Sequence, residues 1–297
     1  MKTARALIRR NVKLFFRDKG MFFTSLATPM ILLVLYGTFL KNVYRDSFLS
    51  MIPEMCLPSE RLVDALVASQ LMSSLLAVSC VTVAFCSNFL MVQDKVTGTI
   101  KDLRISPVKD SVLSVSYYVA TLVSTLLVCL VATAVCFVYV ACMGWYLTAG
   151  DVLCIFLDVV LLVLFGTALS SVVNLFLSTQ GQISAVGSII SSAYGFICGA
   201  YMPISSFSTG LQKAVSFLPG TYGTALMRTH CMGSVLTEMQ TQGVPAEVVS
   251  TLRQTLDCEI SLLGNPVSVG GMYGILGGFT AVLLGVYVLL HNIKNKK

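Results

Sequence analysis

Residues 112–143 read VLSVSYYVATLVSTLLVCLVATAVCFVYVACM, thirty-two positions without a single charge. As a helix rising 1.5 Å per residue, this run is longer than the ~30 Å hydrocarbon core of a bilayer needs. Five more apolar runs flank it, Met21 to Leu40, Leu66 to Val92, Val152 to Leu177, Ile183 to Met202 and Gly270 to His291. The chain is 56% hydrophobic and 11% charged, far from the roughly 25% charge of soluble domains. Without water in the bilayer core, each segment must pair its own backbone groups, so helices are expected. The short alternating strands of a barrel are absent. The expected fold is an all-α membrane protein with six transmembrane helices, at about 21–40, 66–92, 112–143, 152–177, 183–202 and 270–291, within a domain covering 21–297.

The Lys and Arg residues between the runs set the orientation, because cytoplasmic loops carry the excess. With six spans both termini share a side, and fourteen of the twenty Lys and Arg fall there, against six on the other. Both termini are therefore expected in the cytoplasm of a plasma-membrane protein. The net charge of +6 then reflects topology and anionic lipid rather than nucleic acid.

Residues 1–20 are predicted to form a cytoplasmic amphipathic helix. Leu7, Ile8, Val12, Leu14, Phe15 and Phe16 fill one arc, and Lys2, Arg5, Arg9, Arg10, Lys13 and Arg17 fill most of the other. That pattern suits a helix lying on the membrane surface; the alternative is that the cations only fix topology. The apolar run that follows is too long for a cleaved signal peptide.

Most of the ten cysteines sit inside the runs, as small packing groups. Cys56, Cys231 and Cys258 lie outside them and offer a disulfide only in an oxidising compartment. The two histidines, His230 and His291, have no cysteine ladder at zinc spacing, so no metal site is expected. No phosphate loop, His-Glu-x-x-His or glycine-flanked serine is present. No catalytic residue is expected, and energy for transport would come from a gradient or from another chain. Gradient-driven carriers place ionisable groups near the midplane, and here only Asp158 lies inside a run. It is read either as a polar contact within the bundle or as a contact on a substrate path.

Residues 93–111 form the expected cytoplasmic loop between the second and third spans, and residues 93–108 read QDKVTGTIKDLRISPV. Asp94 and Lys95, then Gly98 and Thr99, a short helix with Leu103 and Arg104, and Ser106-Pro107 resemble the coupling segment of ATP-binding-cassette (ABC) transporter permeases of the type-2 exporter class. Val96 stands where a second acid is common, and Arg104 where an apolar residue is usual. A second resemblance lies in Gly199-Ala200-Tyr201-Met202-Pro203 and in Leu218-Pro219-Gly220-Thr221-Tyr222, ending at Arg228. Glycine and proline mark places where a helix can end and turn. Residues 203–269 are expected to form an extracytoplasmic region, with a re-entrant helical hairpin bounded by Pro203 and Pro219 and then a cap. Within it, Pro245 opens a predicted helix with Val248, Leu252 and Leu256 on one face. Residues 42–64 are predicted as the other external loop, with one short interfacial helix. The last run spaces glycines at three and four, as in Gly270-x-x-x-Gly274-x-x-x-Gly278; packing inside the subunit is the preferred reading over a dimer seam.

The resemblance implies the membrane subunit of an exporter for an amphipathic compound such as a drug, antibiotic or lipid. It implies a separate ABC ATPase partner carrying ATP and magnesium, a second permease subunit, identical or different, and no cofactor on this chain. Two alternatives stay open: a proton-coupled carrier using Asp158, and an immunity or sensor component that moves nothing.

Overall fold

The structure, a computed structural model, describes residues 2–53, 56–105, 108–262 and 265–294. α1 (Lys2–Arg17) buries Leu7, Asn11 and Phe15, one stripe at a spacing of four, and packs on α6. The chain breaks at Asp18, whose carboxylate accepts the Met21 N–H at 3.1 Å and so caps α2 (Lys19–Leu35). A π-helical turn, Tyr36–Leu40, then leads into α3 (Lys41–Met51) without leaving the helical path. The helical body is thus Lys19–Met51, 33 residues. This corrects the expected span ending at Leu40 and the loop expected from 42, because residues such as Phe48 and Ile52 continue the buried face.

α4 (Glu60–Val96, 37 residues) is the axis of the bundle. Its most apolar window is 94% buried, whereas those of the other membrane-length helices are 17–50% buried. Small residues on every side, including Ala65, Ala68, Ser73, Ala77, Cys80 and Ala84, let α2, α6, α7, α8 and α10 all pack against it. The tightest approach is at Gly166 of α7, where a Cβ would stand 3.0 Å from both the Cys80 carbonyl oxygen and the Val81 Cα. Any side chain there would push two backbones apart.

α5 (Thr99–Ile105) is a single short helix, followed by α6 (Asp110–Met143) and α7 (Ala149–Phe176). A reciprocal capping box between Thr148 and Asp151 starts α7, and one between Thr179 and Gln182 starts α8 (Gln180–Ile197). α12 (Val269–Lys294) packs on α7 and α10. Five helical bodies are long and apolar enough to cross a membrane: Lys19–Met51, Glu60–Val96, Asp110–Met143, Ala149–Phe176 and Val269–Leu290. α8 stops at Ile197, short of the expected Met202, and its glutamines and serines leave it outside that set.

Residues 203–269 hold several further elements. A 3-10 turn at Ile204–Ser206 and α9 (Thr209–Ser216) precede α10 (Pro219–Thr241), then α11 (Ala246–Thr255) and a two-residue hairpin, β1 (Ser261–Leu262) with β2 (Asn265–Pro266). α10 has 23 residues and packs between α4, α7 and α12, burying Tyr222, Leu226, Met227, Arg228, Met232 and Val235. α11 follows Pro245 as predicted, with Leu252 and Leu256 buried and Val248 half-buried. All ten cysteines are free, and burial pushes the Cys258 thiol up to about 12. The glycines of α12 are a further correction: a Cβ at Gly270, Gly274, Gly277, Gly278 or Gly285 would meet nothing within 4 Å. The helix uses Met272, Leu276 and Tyr287 to pack inside the subunit, and its glycine stripe faces away.

Candidate coupling and transport sites

Among the described residues, three polar clusters and a groove beside α2 and α8 bear on function. The first is at the lower end of α4. Asp94 Oδ2 accepts from Arg10 Nη1 at 2.9 Å and from the Tyr117 hydroxyl at 2.5 Å, and Oδ1 accepts from Arg10 Nη2 at 3.4 Å. One carboxylate so ties α1, α4 and α6 together with charge-assisted bonds. Arg10 Nη1 also donates to Asn11 Oδ1 at 2.8 Å. Lys95 turns the other way and donates from Nζ to the carbonyls of Asn174 at 2.9 Å and Leu177 at 3.4 Å, at the end of α7. A cation there meets the negative end of the helix dipole.

Gly98 has φ +82° and reverses the chain after α4, the left-handed position that glycine takes at a helix C-terminus. Thr97 and Thr99 hydroxyls meet at 2.9 Å across it. On α5, Leu103 packs inward with Leu7, Met91, Leu113, Tyr117 and Leu175. Lys101, Asp102 and Ile105 face outward, with Ile105 85% exposed, and Val96 is exposed beside them. Of the residues expected to couple, Asp94, Lys95 and Leu103 therefore point into the subunit, while Gly98 and Thr99 form the half-buried turn. The Arg104 side chain and Pro107 lie outside the described residues. Sequence reasoning missed Arg10 and Tyr117, which sit 84 and 23 positions from Asp94, and Ile105, an apolar residue in a polar loop.

The second cluster joins α10 to the chain just after α8 and α11. Arg228 of α10 is 1% exposed; its Nη1 donates to Asp257 Oδ2 at 2.9 Å and its Nη2 to the Gly199 carbonyl at 2.6 Å. Asp257, at φ +51°, also accepts the Ile204 N–H at 2.5 Å and the Ser205 N–H at 3.3 Å. Burial pushes its carboxyl above the usual carboxylate range, while Arg228 and the two amides pull it back. Gly199, at φ +76°, ends α8, and the Tyr222 hydroxyl donates to the Ser216 carbonyl at 2.7 Å. Pro219 opens α10 at the first helical position, where its missing N–H costs nothing. Arg228 and Gly199 thus meet, with Ile204 next to Pro203 bound to the same Asp257 carboxylate, while Pro219 and Tyr222 serve the start of α10; Asp257 is the partner that sequence reasoning missed.

In the third cluster, Asp158 is 1% exposed, and both its oxygens are occupied. Oδ2 lies 2.6 Å from His230 Nδ1 and Oδ1 accepts from the Tyr273 hydroxyl at 2.5 Å. His230 stacks on Tyr273, and nearby Asp151 accepts from the Ser234 hydroxyl. These contacts join α7, α10 and α12.

The groove runs along α4 between α2 and α8. Its lower part, about 570 Å³, is lined by Thr24, Phe89, Gln93, Gln180, Ser184 and Ser188 among others. Its upper part, about 500 Å³, continues past Ser188 and Ser191 to Tyr36, Phe196 and Tyr201. The two cavities share Ser188 and Ser191; hydroxyls and amides mark the lower one, and Ile31, Leu32, Leu35 and Leu40 with the aromatic rings make the upper one mostly apolar. Among the described residues no group of three or more His, Cys, Asp or Glu side chains is arranged to hold a metal.

A polytopic α-helical membrane protein with a separate short helix at the base of its central span is the class these features define. A family model of the ABC-2 type transporter matches residues 3–230, and the chain belongs to that family. It is thus a membrane permease component of an ABC transporter, a family whose members work with an ABC ATPase and are not themselves catalytic. No curated protein matches the chain. The match ends at His230, so α11 and α12 lie beyond it.

Proposed function

We propose that this chain is the permease of an ATP-driven exporter that moves an amphipathic compound out of the cell through the plasma membrane. α8 serves as the fifth of six spans, both termini are cytoplasmic, and residues 203–218 form the re-entrant outer hairpin. A separate ABC ATPase, carrying ATP and magnesium, docks on the outward face of α5, and a second permease subunit covers the α2/α8 groove to complete a shared path. The observation that carries this reading is the base of α4. There Asp94 locks the amphipathic helix to two spans while the adjoining α5 presents Lys101, Asp102 and Ile105 outward. A push on α5 then reaches α1, α4 and α6 together. Nucleotide acts only through contacts that differ between two arrangements of the spans, and a rigid brace beside an exposed helix supplies such contacts.

A polar lower part and a mostly apolar upper part of the groove suit an amphipathic solute, and the basic residues gathered on one side support the orientation. Asp158 reads as a bundle contact, since His230 and Tyr273 occupy its carboxylate.

The test is a mild-detergent pull-down from native membranes with an ATP-hydrolysis assay on the eluate, followed by transport in inverted vesicles. The expected result is a stoichiometric ATPase that is lost when Lys101, Asp102 and Ile105 are replaced together. A chain that purifies alone, with Asp158-dependent and nucleotide-free transport, would mark the proton-coupled carrier. Retention of the ATPase without any transport would mark the sensor or immunity component.

A further inference from the structure

A second groove lies on the opposite side of α2, toward α6. It holds about 510 Å³, and its whole lining is apolar: Phe22, Leu26, Pro29, Met30 and Leu33 form one wall, Leu127, Val131 and Val135 the other, and Leu75, Val128 and Cys136 the floor. From Phe22 to Leu33 the wall is roughly 16 Å long at 1.5 Å per residue, about half of a ~30 Å hydrocarbon core. A slot of that length matches one leaflet's acyl chain.

Its lower end is at the elbow of α1 and α2, where Phe15 packs edge to face on Phe16 and Phe22 and these two meet at a tilt, with ring centroids 5.1–6.3 Å apart. Three cations lie within one helical turn of Phe16 or Phe22 along the chain. Lys19 is one turn below Phe22 on the same stripe of α2, Arg17 follows Phe16 directly, and Lys13 is one turn before Phe16 on α1. All three are exposed, and among the described residues none forms an ion pair. Arg10, three residues before Lys13, is by contrast committed to Asp94.

We infer that this slot is a binding site for an anionic phospholipid, one acyl chain lying along α2 and α6 and the headgroup phosphate held by Lys13, Arg17 and Lys19. The apolar length selects a chain and the three uncommitted cations select the charge. The bound lipid wedges the elbow of α1 against α6 on the helix that also carries Arg10, so leaflet composition bears on the brace at Asp94. The inference rests on the proposed orientation only for which leaflet supplies the lipid. Were the termini on the other side, protease-accessibility mapping would show it, and binding in detergent would be unchanged.

The experiment is native mass spectrometry of the purified full chain incubated with phosphatidylglycerol or phosphatidylcholine. One cation near an anionic surface contributes about fivefold in affinity. K13Q/R17Q/K19Q should therefore lower phosphatidylglycerol retention on the order of 100-fold, with phosphatidylcholine unaffected. Lys2, Arg5, Arg9 and Arg10 remain in that variant, so the N-terminal positive bias that fixes insertion is kept. Val131→Trp, which fills the slot from its open rim, should reduce retention of both lipids while leaving the elution profile unchanged. Equal retention of the two lipids by the wild-type chain, or unchanged phosphatidylglycerol retention in the triple variant, would leave annular lipid only and overturn the site. Loss on charge removal with full retention in Val131→Trp would place the lipid on the α1 surface, and also overturns it.

Discussion

Removing Arg228 and Asp257 together should cost clearly less than the two single removals added. The Arg228 and Asp257 side chains are 1% and 7% exposed. Truncating one partner of a pair so buried costs about 3–5 kcal/mol, because the other charge is left without compensation. The two sides are unequal here. In Arg228→Met, Asp257 keeps the Ile204 and Ser205 N–H groups, so the cost falls near ~3 kcal/mol. In Asp257→Leu, the guanidinium keeps only the Gly199 carbonyl and its Nε has no partner, so the cost approaches ~5 kcal/mol. Replacing both removes the charges together, and such replacements are often near neutral. The Ile204 and Ser205 N–H groups would still lose an acceptor, at ~1–3 kcal/mol each where buried. The double variant should therefore recover at least ~2 kcal/mol relative to the sum of the singles. Equilibrium unfolding of the detergent-purified chain in a denaturant series measures all four corners of the cycle. Since total stabilities are typically 5–15 kcal/mol, the singles should already show low yield. Strict additivity, with the double variant as weak as the two losses combined, would refute the reasoning, because the pair would then not be acting as a buried unit.

The brace at Asp94 should behave differently, because Arg10 is 31% exposed and such a pair is worth only ~1 kcal/mol or less. Arg10→Gln and Asp94→Asn should each leave expression near normal yet uncouple ATP hydrolysis from transport, and the double variant should be no worse than the worse single; multiplicative losses would show two independent roles. Gly98→Ala should cost roughly 1–2 kcal/mol for a left-handed conformation in open space, whereas Gly166→Leu should prevent assembly, since 3.0 Å contacts with backbone cannot relax; thermal unfolding of the two side by side decides. Ser188→Trp should block transport without changing the melting profile if the α2/α8 groove carries the solute, and unimpaired transport would remove the groove from the path.

The apolar runs were legible because lipid leaves helices no alternative, and four of the six appear as membrane-length helices close to where the sequence placed them. The first run extends further, and α8 is shorter and more polar than a lipid-facing span. α10 escaped notice for the opposite reason. It is enclosed by α4, α7 and α12, so Thr221, Thr224, Arg228 and His230 can be carried inside the protein provided each finds a partner, and no hydropathy signal marks such a helix. Those partners are not local. Asp158 meets His230 across 72 positions and Tyr273 across 115, and Arg228 meets Asp257 across 29. The glycine stripe of α12 shows a related limit, since spacing tells that backbones can approach but not which chain approaches them.

The coupling segment is the instructive intermediate case. Its position between two spans and its glycine turn were legible, but the acid that drew attention to it faces inward. Asp94 is consumed by Arg10 and Tyr117, and Lys95 by the end of α7. On the proposed docking, discrimination between ATPase partners comes from α5 residues that no described side chain holds, Lys101, Asp102 and above all Ile105 at 85% exposed. An exposed apolar side chain on a charged helix gains by burial in a partner's pocket, with the charges at its rim. On this reading Asp94 determines how motion spreads once the ATPase has docked, and Ile105 determines whether it docks. Ile105→Asp should therefore release the ATPase while the Arg10–Asp94 brace stays intact, and Asp94→Asn should keep the ATPase bound while transport stops. If both substitutions released the ATPase alike, the division of labour between brace and anchor would be wrong.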